Sequence, residues 1–375
     1  MRNALFGGLL AAASLAGAAR ADDIKLGYIA GLSGGGASYG AGMLQGVEMA
    51  VKEINDAGGI GGRKIVLDIA DDDSDPSQSV LAMQRLIGDR VAAVLGGWGS
   101  SMVLASMEPA ERAGMPFVVF GASNPRITTS RNKWTFRLLT NDGDQARQLA
   151  DLVVKQLHLQ RIAVLSDSND YGVGCRDAFL AELTALGVTP VRVESYGFND
   201  RDFTAQLTHI VGENPDGLAT FGTLPAIPAI MNQARDLGIK ARFFGTAGLG
   251  TEALIGLAPE SSQHAIATMY FHPDIDPEAK AWAARYTAAY AHATPPARPS
   301  QAAWGYRAVK LVMAPCLAQA GADKDKLRDC LAHWHGPVFG LPPVDAHFST
   351  VNQLVAPVVF VQIAGKQFDL LPGAN

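Results

Sequence analysis

Glycine and serine recur together at four places in this 375-residue chain, three of them with an aromatic ring. The segments are Gly31-Leu-Ser-Gly-Gly-Gly-Ala-Ser-Tyr39-Gly40, Gly96-Gly-Trp98-Gly-Ser100-Ser101, Gly121-Ala-Ser123-Asn124-Pro125 and Asp167-Ser-Asn-Asp-Tyr171-Gly172. Glycine lets a ligand approach the backbone, and serine hydroxyls and free helix N–H groups suit a carboxylate. Tyrosine adds a ring face and a hydroxyl. Each segment alone reads equally well as a turn or a helix cap; their recurrence is what points to binding.

The same residues also raise an enzyme reading. Gly36-Ala-Ser38-Tyr39-Gly40 matches the G-x-S-x-G nucleophile elbow of α/β hydrolases. An elbow must turn straight from strand to helix, whereas here a long loop separates Ile29 from Ser38, and no HGGG-type oxyanion segment is present. Hydrolysis through Ser38 is therefore the lesser reading, and the chain is expected not to be an enzyme. The glycines miss the G-x-G-x-x-G spacing and lack a G-K-[ST] ending, which argues against nucleotides. His333 and His335, two residues apart, would diverge on a helix, and no HExxH or paired-Cys motif exists. The acidic run Asp71 to Asp73 lacks calcium-loop spacing; it is expected to end a strand and cap the helix near Pro76. No metal or cofactor is expected.

These loops need elements to hold them. β-Branched runs at 24–29, 65–69, 91–95, 117–120, 162–165, 191–196, 217–221 and 242–244 alternate with amphipathic stretches at 42–56, 77–87, 102–113, 144–157, 174–186, 203–211 and 227–237. That order predicts an α/β protein with parallel sheets covered by helices. The series is too long for one ordinary sheet and breaks near Thr135 to Asp144, so two similar lobes are expected. In such sheets ligands sit beyond the carboxyl ends of the strands, where the four segments fall. Met102, Met107 and Phe117 read as core.

Residues 1–21 carry Arg2, an apolar run from Ala4 to Ala19 and a small-x-small ending at Ala19 and Ala21, the pattern of a secretory signal peptide. Losing Arg2 and Arg20 takes the 31 basic residues to 29 against 36 acidic ones, a net charge of −7, which argues against a nucleic-acid partner. No later segment is apolar enough to span a bilayer. With three cysteines the fold must rest on its core; Cys316 and Cys330 could bridge neighbouring helices, leaving Cys175 as a buried thiol.

The segments IKLGYIAGLSG, YGAGMLQGVEMAVKEINDAGGIGGRKIVL, DDDSDPSQSV, AVLGGWGSS, AERAGMPFVVFGASNPRIT, RIAVLSDSNDYGVG, FNDRDFTAQL and QARDLGIKARFFGTAGLG together resemble the branched-chain amino-acid-binding proteins of ABC transporters. The resemblance covers most of Ile24 to Gly250 and fades beyond Leu311. It implies the type I periplasmic binding fold: two Rossmann-like lobes joined by three crossings and closing on a ligand. The lobes would comprise 22–141 plus 272–340 and 142–271 plus 341–375. It further implies a periplasmic monomer that delivers its ligand to membrane permease subunits of an ABC importer; a ligand-sensing receptor is the fold's other use.

Matched position by position, Ser100, Ser123 and the backbone at Gly121 fall where the family holds a ligand carboxylate. Tyr39 and Tyr171 match its flanking aromatics, and Trp98 is an addition at the same rim. The departures carry information as well. Ala247 stands where amino-acid binders place the carboxylate that pairs with the ligand ammonium. Thr223 and Leu224 replace an aromatic, and Ser74 and Gly99 replace a disulfide. An unpaired ammonium in a closed cleft costs several kcal/mol, so a carboxylic acid without one is the expected ligand, aromatic, aliphatic or keto, with a hydrophobic amino acid as the other candidate.

Overall fold

The computed structural model describes residues 22–129, 132–224, 226–294 and 298–374. The signal-peptide reading lies outside these residues. The first lobe is built on β1 (Ile24–Ala30), α1 (Ala37–Asp56), β2 (Ile65–Asp71), α2 (Pro76–Gly88), β3 (Val94–Trp98), α3 (Ser100–Arg112), β4 (Phe117–Gly121) and β5 (Thr135–Arg137). Its five strands are all parallel, in the order β2-β1-β3-β4-β5. Five of the seven residues of β1 form an unbroken buried run at its end, as a strand covered on both faces requires.

The second lobe continues with α4 (Asp142–Asp151), β6 (Ile162–Asp167), α5 (Asp170–Ala185), β7 (Arg192–Tyr196), α6 (Thr204–Gly212), β8 (Gly217–Phe221), α7 (Ala226–Asp236), β9 (Arg242–Gly245), α8 (Glu252–Leu257) and β10 (Ile266–Met269). The chain returns through α9 (Pro277–Ala289), α10 (Pro299–Arg307), α11 (Ala314–Ala320) and α12 (Lys324–Ala332) to a small antiparallel sheet of β11 (His335–Gly336), β12 (Ala346–Phe348) and β13 (Leu354–Val355). It ends in β14 (Val359–Ala364) and β15 (Gln367–Leu370), which complete a seven-stranded sheet, β15-β14-β10-β9-β8-β6-β7. Residues 341–355 take no part in that sheet.

In the first sheet the strand order reverses between β1 and β3, and in the second between β6 and β8. These are the switch points where adjacent loops part and leave a crevice. Segments 138–141, 270–272 and 356–358 connect the two sheets and are cross-braced. The Thr140 hydroxyl donates to Ala356 O at 2.9 Å, and the Tyr270 hydroxyl donates to Thr140 O at 3.0 Å. Buried Arg137 donates to Gln353 Oε1 at 2.6 Å, to Thr128 Oγ1 at 2.7 Å and to Asn124 O. Helices α1 and α10 touch backbone to backbone because Gly46 and Gly305 lack side chains. A Cβ at Gly46 would stand 1.8 Å from Ala302 O, and one at Gly305 2.2 Å from Met43 O.

Several expectations need correction. Helix α1 starts at Ala37, so Ser38 and Tyr39 lie in its first turn rather than in a loop. β3 is shifted to Val94–Trp98, which makes Trp98 its last residue. The acidic run ends β2, but Asp75 caps α2, accepting from Ser77 N at 2.8 Å and Gln78 N at 3.0 Å. Asp71 instead holds the loop after β1 through Leu32 N and the Ser33 hydroxyl. The second sheet is not purely parallel, since β14 and β15 run antiparallel. β10, β14 and β15 lie beyond the last strand expected from sequence, at 242–244. Cys316 and Cys330 are bonded, joining α11 to α12, and Cys175 is a buried free thiol. His333 and His335 are exposed, at the end of α12 and on β11.

Candidate functional site

The loops at the carboxyl ends of β1, β3 and β4 face those of β6, β8 and β9 across a cavity of about 200 Å³. All seven residues singled out from sequence line it: Tyr39, Trp98, Ser100, Gly121, Ser123, Tyr171 and Ala247. An apolar cavity of about 150 Å³ accepts a benzene-sized molecule, so the space suits a small ring or a branched chain. Among the described residues its wall carries no Asp, Glu, Lys, Arg or His.

One end of the cavity is a set of hydrogen-bond donors. Ser100 opens α3, whose early amides have no partner within the helix. The Ser100 oxygen accepts from Asn124 N at 3.2 Å, which leaves its proton to point elsewhere. Ser123, buried at the end of the β4 loop, adds a second hydroxyl. Gly121 is small of necessity, because a Cβ there would lie 2.9 Å from Gly97 O and 3.1 Å from both Trp98 Cα and Met43 Sδ. Two hydroxyls and a helix N-terminus make an anion site without a formal positive charge.

The other walls are apolar rings. Tyr39 and Trp98 stack with centroids 5.5 Å apart and planes inclined by 25°. The Tyr171 hydroxyl pairs with Thr246 Oγ1 at 2.8 Å and accepts from Gly248 N at 2.9 Å. Burial pushes the Tyr39 phenol up to about 12, so it stays a neutral donor. Ala247 lies at the cavity wall with its N–H on Gln145 Oε1 at 3.3 Å.

The lobes touch directly around the cavity. Tyr39 reaches the β8 and β9 loops, Ser101 Oγ accepts from Asp170 N at 3.3 Å, and Asn124 Nδ2 donates to Asp170 O at 2.6 Å. Arg126 and Asp170 pair at 3.1 Å on the exposed rim, where such pairs contribute little.

Sequence reasoning missed Phe198, Tyr270 and Trp304, and it assigned Met102 to the core although it also lines the cavity. Phe198 follows β7 and meets Gly35, where a Cβ would lie 2.6 Å from its ring. Tyr270 stands at a crossing and Trp304 on α10, both far in sequence from the four loops. Ser74 lines the cavity too. Its hydroxyl donates to Ser33 O at 2.7 Å and accepts from Gly36 N at 2.9 Å, fastening the β1 loop.

A family model described as "Periplasmic binding protein" matches residues 23–367. A Leu/Ile/Val-binding protein, BraC3, of Rhizobium johnstonii is 33% identical over 259 residues, covering 69% of this chain and 71% of that protein. The branched-chain amino acid transporter substrate-binding protein LivJ of Streptococcus pneumoniae, solved with isoleucine, superposes with a TM-score of 0.83 at 26% identity, covering 92% of this chain and 98% of that one. A solute-binding protein of an ABC transporter from R. palustris, solved with benzoate, shares the fold with a TM-score of 0.84 at 20% identity, over 93% and 95% of the two chains.

Proposed function

The chain belongs to the periplasmic binding protein family, whose members bind substrates for transporters and are not enzymes, and from that premise we propose that it captures a small carboxylic acid lacking an α-ammonium group. The observation that carries this reading is a cavity wall with hydroxyls and helix amides at one end, rings elsewhere and no charged side chain. A carboxylate finds donors there. An ammonium finds no counter-charge, and leaving it unpaired in a closed cleft costs several kcal/mol.

Ser100, Ser123 and the backbone at Gly121 take the carboxylate in this proposal. Tyr39, Trp98 and Tyr171 flank the ligand body, and Ala247 leaves room where a counter-charge would otherwise stand. The relatives named for leucine, isoleucine and valine support a ligand of that size, and the stacked Tyr39–Trp98 pair favours a flat or bulky apolar body. The ligand passes to the permease subunits of an ABC importer. The lobes close by hinge motion about 138–141, 270–272 and 356–358, which moves the third crossing from near Gly340 to just before β14. Cleavage after Ala21 releases the monomer into the periplasm.

Trp98 and Trp304 both line the cavity, so intrinsic fluorescence reports occupancy. Titration with benzoate, 4-hydroxybenzoate, 4-methyl-2-oxopentanoate and leucine is expected to give saturable changes with the acids. Saturation by leucine alone would refute the proposal.

A further inference from the structure

Beneath the donor end of the cavity lies a carboxyl group that the binding account does not use. Asp142 is the first residue of α4, fully buried, and neither carboxyl oxygen receives a well-formed hydrogen bond from any described group. Its backbone N–H donates to Ser123 O at 2.9 Å, which ties it to the residue that offers a hydroxyl to the ligand. Across from it α5 presents Gly174 and Cys175. A Cβ at Gly174 would sit 3.3 Å from Asp142 Oδ2, so the carboxyl packs directly on that helix.

We propose that Asp142 is a proton-carrying positioning residue: it stays protonated while the closed cleft holds an anionic ligand, and capture of the anion takes up a proton from solution. This rests on the carboxylate reading of the cleft. Burial pushes Asp142 up to about 6, and burial outweighs the Ser123 hydroxyl, the Cys175 thiol and the Arg137 guanidinium, all of which favour its charged form. The α4 N-terminus also favours the anion and does not prevail. A ligand carboxylate at Ser123 adds a like charge nearby and raises the group further.

The other groups that act on Asp142 do not titrate near neutrality, although burial also pushes Asp167, at the end of β6, up to about 6 and Asp72, beside Ser74, up to about 7. Arg137 on β5 is lowered by burial only to about 10 and keeps its charge. Tyr171 and Cys175 on α5 and Tyr270 at the crossing are held well above their usual values, first by burial, and stay neutral. Asp144, two residues along α4, is engaged at the surface by Arg147 at 2.7 Å.

The sign follows from linkage. Below about 6 Asp142 is neutral in both free and bound protein, and affinity is flat. Above that, the free protein loses the proton that the complex keeps, and affinity falls by up to about tenfold per pH unit.

Calorimetry with benzoate and 4-methyl-2-oxopentanoate from pH 5.5 to 8, in buffers of different ionisation enthalpy, reads both affinity and protons taken up. The wild type is expected to bind more weakly as pH rises, with proton uptake, while Asp142→Asn binds independently of pH and takes up none. Carboxyl carbon NMR of the ligand-free wild type reads Asp142 directly and needs no variant. Titration there at an ordinary aspartate value would overturn the proposal whatever the ligand. Tight binding of either acid with flat affinity would overturn it while leaving the carboxylate reading intact. Affinity that rises with pH would overturn it, because the complex would then release a proton instead of taking one up. Failure of both acids to bind at any pH would refute the carboxylate reading, and this inference with it.

Discussion

The hydroxyl of Tyr39, in the first turn of α1, donates to the carbonyl of Gly248, in the loop after β9, across 3.1 Å. The same oxygen accepts from Leu224 N at 3.3 Å, so one side chain joins a first-lobe helix to two second-lobe loops. Its ring meanwhile stacks on Trp98. Cavity wall and lobe contact therefore converge on Tyr39. Tyr39→Phe keeps the ring and removes both bonds, at about 0.5–1.5 kcal/mol each. Small-angle scattering should show the variant less compact than the wild type at equal ligand saturation. Identical scattering profiles would mean that Tyr39 does not hold the lobes together.

Ser100→Ala should weaken acid binding by about 1.5–3 kcal/mol, the usual range for a hydrogen bond to a charged group. Asn124 N would lose its acceptor as well, so the loss should sit at the upper end of that range. Titration calorimetry gives the figure directly, and a change under a few tenths of a kcal/mol would place the carboxylate elsewhere.

Ala247→Glu introduces an anion at a cavity wall that has none. Acids should bind more weakly by at least about tenfold, as expected for a like charge in a desolvated site, and leucine should gain relative to its keto acid. Unchanged selectivity in competition titrations would show that position 247 does not face the ligand.

Asp72 gives a stability prediction independent of any ligand. It is 1% exposed, accepts from Ser74 N at 3.0 Å, and has its other oxygen unpaired. Burial first, with Asp71 and Asp73 adding negative charge, pushes it up to about 7 against the pull of Ser74 and Ser79. A group raised on folding contributes stability that is present below its unfolded value and lost as pH rises through the folded one. That window runs here from about pH 4 to 7. Asp72→Asn should therefore lie nearest the wild type at acid pH, where both side chains are neutral, and gain on it by roughly 1–3 kcal/mol between pH 4 and 8. Urea denaturation of both proteins at the two pH values measures the gain, and a constant difference would contradict the account.

The four loops were legible because a parallel sheet sends every strand-end loop to one side. Short β-branched runs followed by Gly-Ser or Asp-Tyr segments thus locate one end of the sheet without any tertiary information. Phe198, Tyr270 and Trp304 were not legible, since nothing local marks an aromatic after β7, at a crossing or on a distant helix as facing the same space. Asp142 was hidden for a different reason. Within the polar run Asn141-Asp-Gly-Asp144 it reads as a turn between lobes, and a buried unpaired carboxyl runs against the ordinary expectation for aspartate. Strand β14 lies in a plainly apolar run, VVFVQIA, and β15 in the shorter QFDL, but both follow long after the stretch where strand and helix patterns alternate regularly.

Leucine and 4-methyl-2-oxopentanoate share a side chain and a carboxylate and differ only in carrying an ammonium or a keto group at the α-carbon. Calorimetric dissociation constants for this pair on the wild-type protein at pH 6 test the central claim most directly. The uncharged cavity wall predicts that the keto acid binds about tenfold or more tightly than leucine, because only leucine brings a charge the cleft leaves unpaired. Tighter binding of leucine would contradict the account and require a counter-charge that the wall around Ala247 does not supply.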